Sequence, residues 1–247
     1  MSLLVAFAAL GMGGVLGFLG GGGSILTVPI LVFLAGVDAK SAIATSLLVV
    51  AMTSAFAIVQ HARAGRVRWK TGFTFGAVAM VGAYGGGTLG SMLPGDVLMA
   101  AFVLVMFVTA IMMLRGRTAG PVQTPEPNFA RTATIGLGMG ALTGLVGAGG
   151  GFMIVPALLL FGGLSMPEAI ATSLLVITMN AISGFAGHLG RTHIDLPLAG
   201  GVIACSVAGA FVGVALGQKI PAGNLKQVFG VFVLCMAGLT SYLTWLA

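Results

Sequence analysis

Charge is what this 247-residue chain has least of. Charged residues make up 6% of it, and only five are acids: Asp38, Asp96, Glu126, Glu168 and Asp195. Soluble domains carry about a quarter charged residues, so a water-soluble fold is excluded. All five acids fall in or beside the connections between apolar stretches. That excludes the buried Asp or Glu relay used by many proton-driven membrane carriers. Any coupled proton would have to use histidine, whose ordinary pKa is near 6.5, or travel on a substrate.

Cysteine is nearly missing too. Cys205 and Cys235 lie in separate apolar segments, which gives neither a disulfide framework nor a metal-ligand cluster. The glycine run "GGGGS" (Gly20–Ser24) lacks the Gly-Lys-Ser/Thr ending of a nucleotide phosphate loop and has no acidic magnesium ligand beside it. No cofactor is expected. The net charge of +6 comes from cations scattered over short connections, with no basic face. These read as topology determinants under the positive-inside rule and exclude a nucleic-acid partner. "MSLLVAFAAL" lacks the positive n-region of a cleavable signal peptide and is expected to begin the first helix.

What is present is apolar. Hydrophobic residues make up 58% of the chain, and segments of about twenty residues, enough to cross a hydrocarbon core of about 30 Å, recur throughout. Backbone polar groups in lipid need internal partners, so the expected fold is an all-α integral membrane protein. The 41 glycines suit close helix packing in a bilayer.

The octet "AIATSLLV" occurs at Ala42–Val49 and again at Ala169–Val176, 127 residues later. The same offset lays Gly11–Pro29 over Gly138–Pro156 without a gap, and pairs Met52 with Met179, His61 with His188, Gly82 with Gly209, Gly86 with Gly213, Gly90 with Gly217 and Pro94 with Pro221. The chain therefore reads as two homologous halves, residues 1–114 and 132–247, joined by a polar cytoplasmic linker over residues 115–131. Each half has four apolar segments: roughly Leu3–Ala35, Ala42–Gln60, Thr71–Ser91 and Val97–Leu114, then Thr132–Phe161, Glu168–Gly187, Leu196–Gln218 and Leu225–Leu246.

The leading segment of each half is too long for one straight span. Its glycine cluster and following proline predict a break near Gly20–Ser24 and near Gly147–Gly151. If that segment crosses once, the halves are parallel. If it folds back as a hairpin, they are inverted. Single crossing puts eight cations on the linker side and three (Lys40, Lys219, Lys226) opposite. The hairpin gives nine against two (Lys40, Arg191), and so favours inverted repeats.

Paired Gly/Pro-interrupted segments at matching positions of two halves point to a transporter binding site. Helix N-termini, expected at about Ile25 and Phe152, would aim backbone N–H groups at a small anion without any buried cation. The candidate binding residues are therefore Gly20, Gly21, Gly22, Gly23 and Ser24 with Gly147, Gly149, Gly150 and Gly151. The hydroxyls of Thr45, Ser46, Thr172 and Ser173, at equivalent places in the octet, add neutral donors, unless they merely bond the preceding turn of helix. Asn180 and its equivalent Thr53 are further polar positions. His61 and His188 are the candidates for proton coupling. Without an ATP site, the energy source would be an ion gradient or the substrate's own gradient.

These features together resemble the TauE/SafE sulfite-exporter family. The resemblance rests on the doubled glycine-rich segments ending "LTVP" and "MIVP", the "ATS" helix starts, and the turns "HARAGRVRW" and "HLGRTHIDL". It implies a bacterial inner-membrane, multi-pass carrier of small sulfur-containing anions such as sulfite, thiosulfate or organosulfonates, usually moving outward. Two rivals stand beside it. A passive anion channel would use the same residues, and an intramembrane hydrolase would use Ser24 with a histidine base. The hydrolase is disfavoured because Gly151 stands where Ser24 has its equivalent.

Overall fold

The structure is a computed structural model that describes residues 2–115, 129–146, 151–160, 162–188, 192, 194–217 and 222–246. Among these residues it is entirely helical, with ten α-helices and no strand: α1 (Leu3–Leu19), α2 (Ser24–Pro29), α3 (Ala39–Arg63), α4 (Trp69–Met92), α5 (Gly95–Arg115), α6 (Phe129–Val146), α7 (Gly151–Leu160), α8 (Met166–His188), α9 (Leu196–Gly217) and α10 (Ala222–Leu246). Five of them (α3, α5, α8, α9 and α10) are long and apolar enough to cross a membrane. Large apolar side chains such as Leu3, Phe7, Val81, Leu104 and Tyr242 stand exposed around the bundle. A soluble monomer rarely presents so extensive an apolar surface, and here it fits contact with lipid tails.

The helices begin where their caps allow. The Asp38 carboxylate accepts from the backbone N–H groups of Lys40 and Ser41, both at 3.1 Å, and starts α3. At the start of α8, Ser165 N–H and Oγ donate to Glu168 Oε2 at 3.0 and 2.8 Å, the carboxylate half of a capping box. Between α1 and α2 the chain passes through Gly20 (φ 68°) and a single 3₁₀ turn, Gly21–Gly23. The positive φ requires glycine. Pro29 does not stop the helix that follows. The chain widens into a π turn over Ile30–Leu34, closed by Ala35 N–H on Ile30 O at 3.0 Å. The wider turn accommodates the donor that proline lacks.

After the break, α2 runs back along α1. Gly23 lies against Leu16 and the Met12 carbonyl, and Thr27 Oγ1 meets Met12 Sδ at 3.0 Å. Two glycine seams then close the bundle, α1 on α9 and α4 on α6. A β-carbon on Gly13 would strike Ser206 O, and one on Gly17 would strike Ala210 O. In the other seam, Gly140 meets Ala79 O and Gly144 meets Ala83 O. The partners answer in kind: Gly209 and Gly213 abut Leu10 O and Gly14 O, while Gly82 and Gly86 abut Leu137 O and Ala141 O. Close backbone approach through small residues is how helices associate where lipid removes the hydrophobic drive. Between the seams, α3 and α8 pack together around Leu47, Val50, Leu174 and Ile177, with Ser54 Oγ and Thr178 Oγ1 2.9 Å apart.

Candidate functional site

The structure joins part of the candidate set directly. A β-carbon on Gly21 would overlap the Gly151 backbone, and one on Gly151 would reach the Gly21 α-carbon, so the turn before α2 and the first residue of α7 touch backbone to backbone. Both rest on α8: Gly20 faces Ser173 Oγ and Ile170 O, and Gly151 faces Ile177. Residues Gly20 to Ser24 and Gly151 are all buried. The contact is buried and made of main chain, between elements far apart in sequence.

Other candidates stand apart from it. Gly22 packs on Leu19 and Phe232, and Gly23 on the preceding helix. Gly147, Gly149 and Gly150 lie outside the described residues. The helices start at Ser24 and Gly151, one residue earlier than the sequence suggested.

The hydroxyls are buried, and several already donate locally. Ser24 Oγ bonds Gly21 O at 2.7 Å, Ser46 Oγ bonds Ile43 O at 2.7 Å, and Ser173 Oγ bonds Ile170 O at 2.8 Å. Each would have to swing its hydrogen away from that carbonyl to donate to a ligand. Thr45 is buried on the same helix as Ser46. Thr172 Oγ1 accepts the Arg68 N–H at 3.0 Å and so ties the α3–α4 turn to α8. Beside it, Arg68 Nε donates to Glu168 Oε1 at 2.8 Å.

Asn180 is fully buried, and neither its amide nitrogen nor its amide oxygen has a hydrogen-bond partner. Buried amides are ordinarily satisfied, at a cost of about 1–3 kcal/mol when they are not. Its sequence equivalent Thr53 is satisfied twice, by Val49 O at 2.7 Å and Ser206 Oγ at 2.8 Å. The two histidines are held alike. His61 Nε2 lies 3.4 Å from Gly17 O and His188 Nε2 lies 3.3 Å from Gly144 O, while both Nδ1 atoms are buried without a partner.

Two cavities open at opposite ends of α1. One is lined by Ser2, Val5, Leu34, Ala35, Asp195, Pro197 and Leu198. The other has Phe18 and includes His61 and Arg66. Arg66 was not among the sequence candidates. Its signal was Gly65, four residues after His61 and correctly spaced to end the helix and turn the chain back on it.

A bundle of long apolar helices, seamed by glycine and enclosing buried polar groups around a broken-helix contact, is the build of a multi-pass membrane transporter. The chain matches the family model for the sulfite exporter TauE/SafE over residues 5–240, and it belongs to that family. It is 31% identical over 256 residues to a probable membrane transporter protein of Xylella fastidiosa (strain Temecula1 / ATCC 700964), covering 99% of this chain and 98% of that one. It is 29% identical to the probable membrane transporter protein YdhB of Bacillus subtilis (strain 168), covering 91% and 94%. It is 28% identical to the probable membrane transporter protein MJ0441 of Methanocaldococcus jannaschii, covering 90% and 91%. No solved structure matches the chain.

Proposed function

We propose that the protein is a secondary transporter that exports a small sulfur-containing oxyanion, sulfite or an organosulfonate, across a bacterial inner membrane, with ion coupling. The substrate binds where the two chain breaks meet. The observation that carries this reading is the buried backbone contact of Gly21 with Gly151, in a bundle whose cavities open at opposite ends of α1. One buried contact with openings toward two ends is an arrangement that alternating access can use.

The binding set is Gly20, Gly21, Ser24, Gly151, Thr45, Ser46, Thr172, Ser173 and Asn180, with the glycines of 147–150 completing it. Main-chain N–H groups supply the charge complement, and the buried Asn180 amide, free at both ends, is available to a ligand. His61 and His188 carry coupled protons, since the spans contain no internal carboxylate.

Residues 1–114 and 132–247 act as two inverted units around this site. Two contacts support inversion over a parallel arrangement. The first is the return of α2 along α1. The second is the Arg68–Glu168 pair, which joins the α3–α4 turn to the start of α8. Parallel halves would hold those two points on opposite faces of the membrane.

Labelled sulfite uptake into proteoliposomes, with and without an imposed pH gradient and in competition with sulfate, thiosulfate and taurine, tests the reading. Gradient-driven accumulation supports it, whereas flux that only equilibrates replaces it with a channel. Gly21→Leu, whose side chain would have to occupy the Gly151 backbone, should abolish uptake. Gly22→Leu, facing two movable side chains, should reduce it less. Equal activity in both variants would remove the contact from the transport path.

A further inference from the structure

The end of α3 is finished by a paired turn. Gly65 (φ 66°) donates its N–H to Ala62 O at 3.0 Å, and Arg66 donates its N–H to His61 O at 3.2 Å. This is the Schellman arrangement, in which only glycine sits comfortably at the left-handed position. Its consequence is spatial: the bond that closes the turn joins the backbones of His61 and Arg66, and both residues line one cavity of about 120 Å³. Pro167 and Ile170 from the first turns of α8, and Leu225 from the start of α10, supply other walls. Both of those walls are helix N-termini, which favour negative charge. Glu168 stands in the same turn of α8, but its carboxylate is engaged by Arg68 and by Ser165.

His61 is only 4% exposed, and its chemistry at this cavity is constrained. A carbonyl can only accept, so Nε2, facing Gly17 O, carries the hydrogen and leaves Nδ1 as a lone pair. That lone pair is buried and unpartnered. The cavity is well below the roughly 300 Å³ at which drug-sized ligands are held.

We propose that His61 and Arg66 form a second anion site, a vestibule at this end of the transporter, and that it selects a singly charged oxyanion still carrying a hydrogen. The Arg66 guanidinium takes two oxygens of the anion, and the anion's O–H donates to His61 Nδ1. Hydrogensulfite has this form. The sulfonate group of taurine has no O–H on sulfur, so it satisfies the guanidinium and leaves the histidine lone pair without a donor from the anion. This proposal rests on the transport reading for its purpose and can be tested apart from it.

Titration calorimetry of sulfite and of taurine into the purified full-length protein at mildly acidic pH reads the site directly. Arg66→Gln should weaken sulfite binding by at least about tenfold, the size of one charged hydrogen-bonded contact, and Arg66→Lys should recover part of it. His61→Leu should erase the preference for sulfite over taurine, and His61→Gln, which keeps an acceptor, should retain some. Lys70→Gln removes a nearby cation at the start of α4, one that does not line the cavity, and should leave both anions unaffected. Unchanged sulfite affinity in a folded Arg66→Gln protein, or a surviving preference in His61→Leu, overturns the site. The liposome assay stands separately. Wild-type protein that binds sulfite at Arg66 yet carries none keeps this site and refutes the transport reading.

Discussion

The ends of α3 and α8 share one buried contact and then differ. In both, a buried histidine close to the end of the helix turns Nε2 toward a glycine carbonyl, Gly17 for His61 and Gly144 for His188. Then they part. Four residues past His61 stands Gly65, and the chain turns back to bring Arg66 to the cavity. Four past His188 stands Thr192, whose Oγ1 donates to His188 O at 3.2 Å. The same divergence appears mid-helix, where Thr53 finds Ser206 and Asn180, 127 residues on, has Ala79 at the matching place and no partner. The lesson is that the buried histidine contact occurs at both places, while the polar chemistry that would contact a ligand differs between them.

The comparison can be broken most forcefully at the seams. Gly13→Ala and Gly140→Ala each push a methyl into a carbonyl of the facing helix, so each should destabilise by about 1–3 kcal/mol. Gly11, with nothing within 4 Å, should accept alanine with a gain of about 0.5–1 kcal/mol. Thermal unfolding in detergent measures all three. Unequal losses at Gly13 and Gly140 would mean that the seams do not share one physical basis.

An effect of similar size but opposite sign sharpens the mid-helix contrast. Asn180→Leu removes two unsatisfied buried polar atoms and should stabilise the protein by about 1–3 kcal/mol while impairing transport. Thr53→Val deletes a made bond and should cost about 1 kcal/mol. If Asn180→Leu gains stability without loss of flux, the free amide is a tolerated defect and serves no ligand.

The smallest expected effect is at the helix starts. Partial burial pushes the Asp38 carboxyl up, but hydrogen bonds from Ser41 and Lys40 and the Lys40 charge outweigh it, so its pKa lies below the usual carboxylate range. Its stabilisation is therefore present above the unfolded-state pKa and is lost as pH falls through the folded one. Asp38→Ala should cost about 1 kcal/mol at neutral pH and less at strongly acidic pH. Melting curves across that pH range decide it. A penalty independent of pH would remove the charge from the cap.

The helices were legible because apolar runs and their punctuation are local. Gly20–Ser24 announces a break by composition. The contact of Gly21 with Gly151 was not legible, since nothing in either string says which distant backbone it will meet. Arg68 with Glu168, and Gly17 with His61, are equally tertiary. Arg66 is an intermediate case, because its turn is written in the local pattern around Gly65 but the cavity beside it is built by α8 and α10. Likewise, Ser46 and Ser173 could be read as hydroxyls in a helix, but whether they spend their hydrogens on the preceding turn depended on rotamers that sequence does not encode.

The seams have one more consequence. Where helices meet main chain to main chain, the information that specifies the join is the absence of an atom. In a saturation mutagenesis library scored for folded protein, residues 13 and 17, 82 and 86, 140 and 144, and 209 and 213 should appear as four pairs that admit only glycine, each pair four residues apart. Outward-facing neighbours such as Phe7, Val81 and Val212 should exchange freely among apolar residues. Such a scan would trace both helix interfaces through their intolerance of a single methyl group.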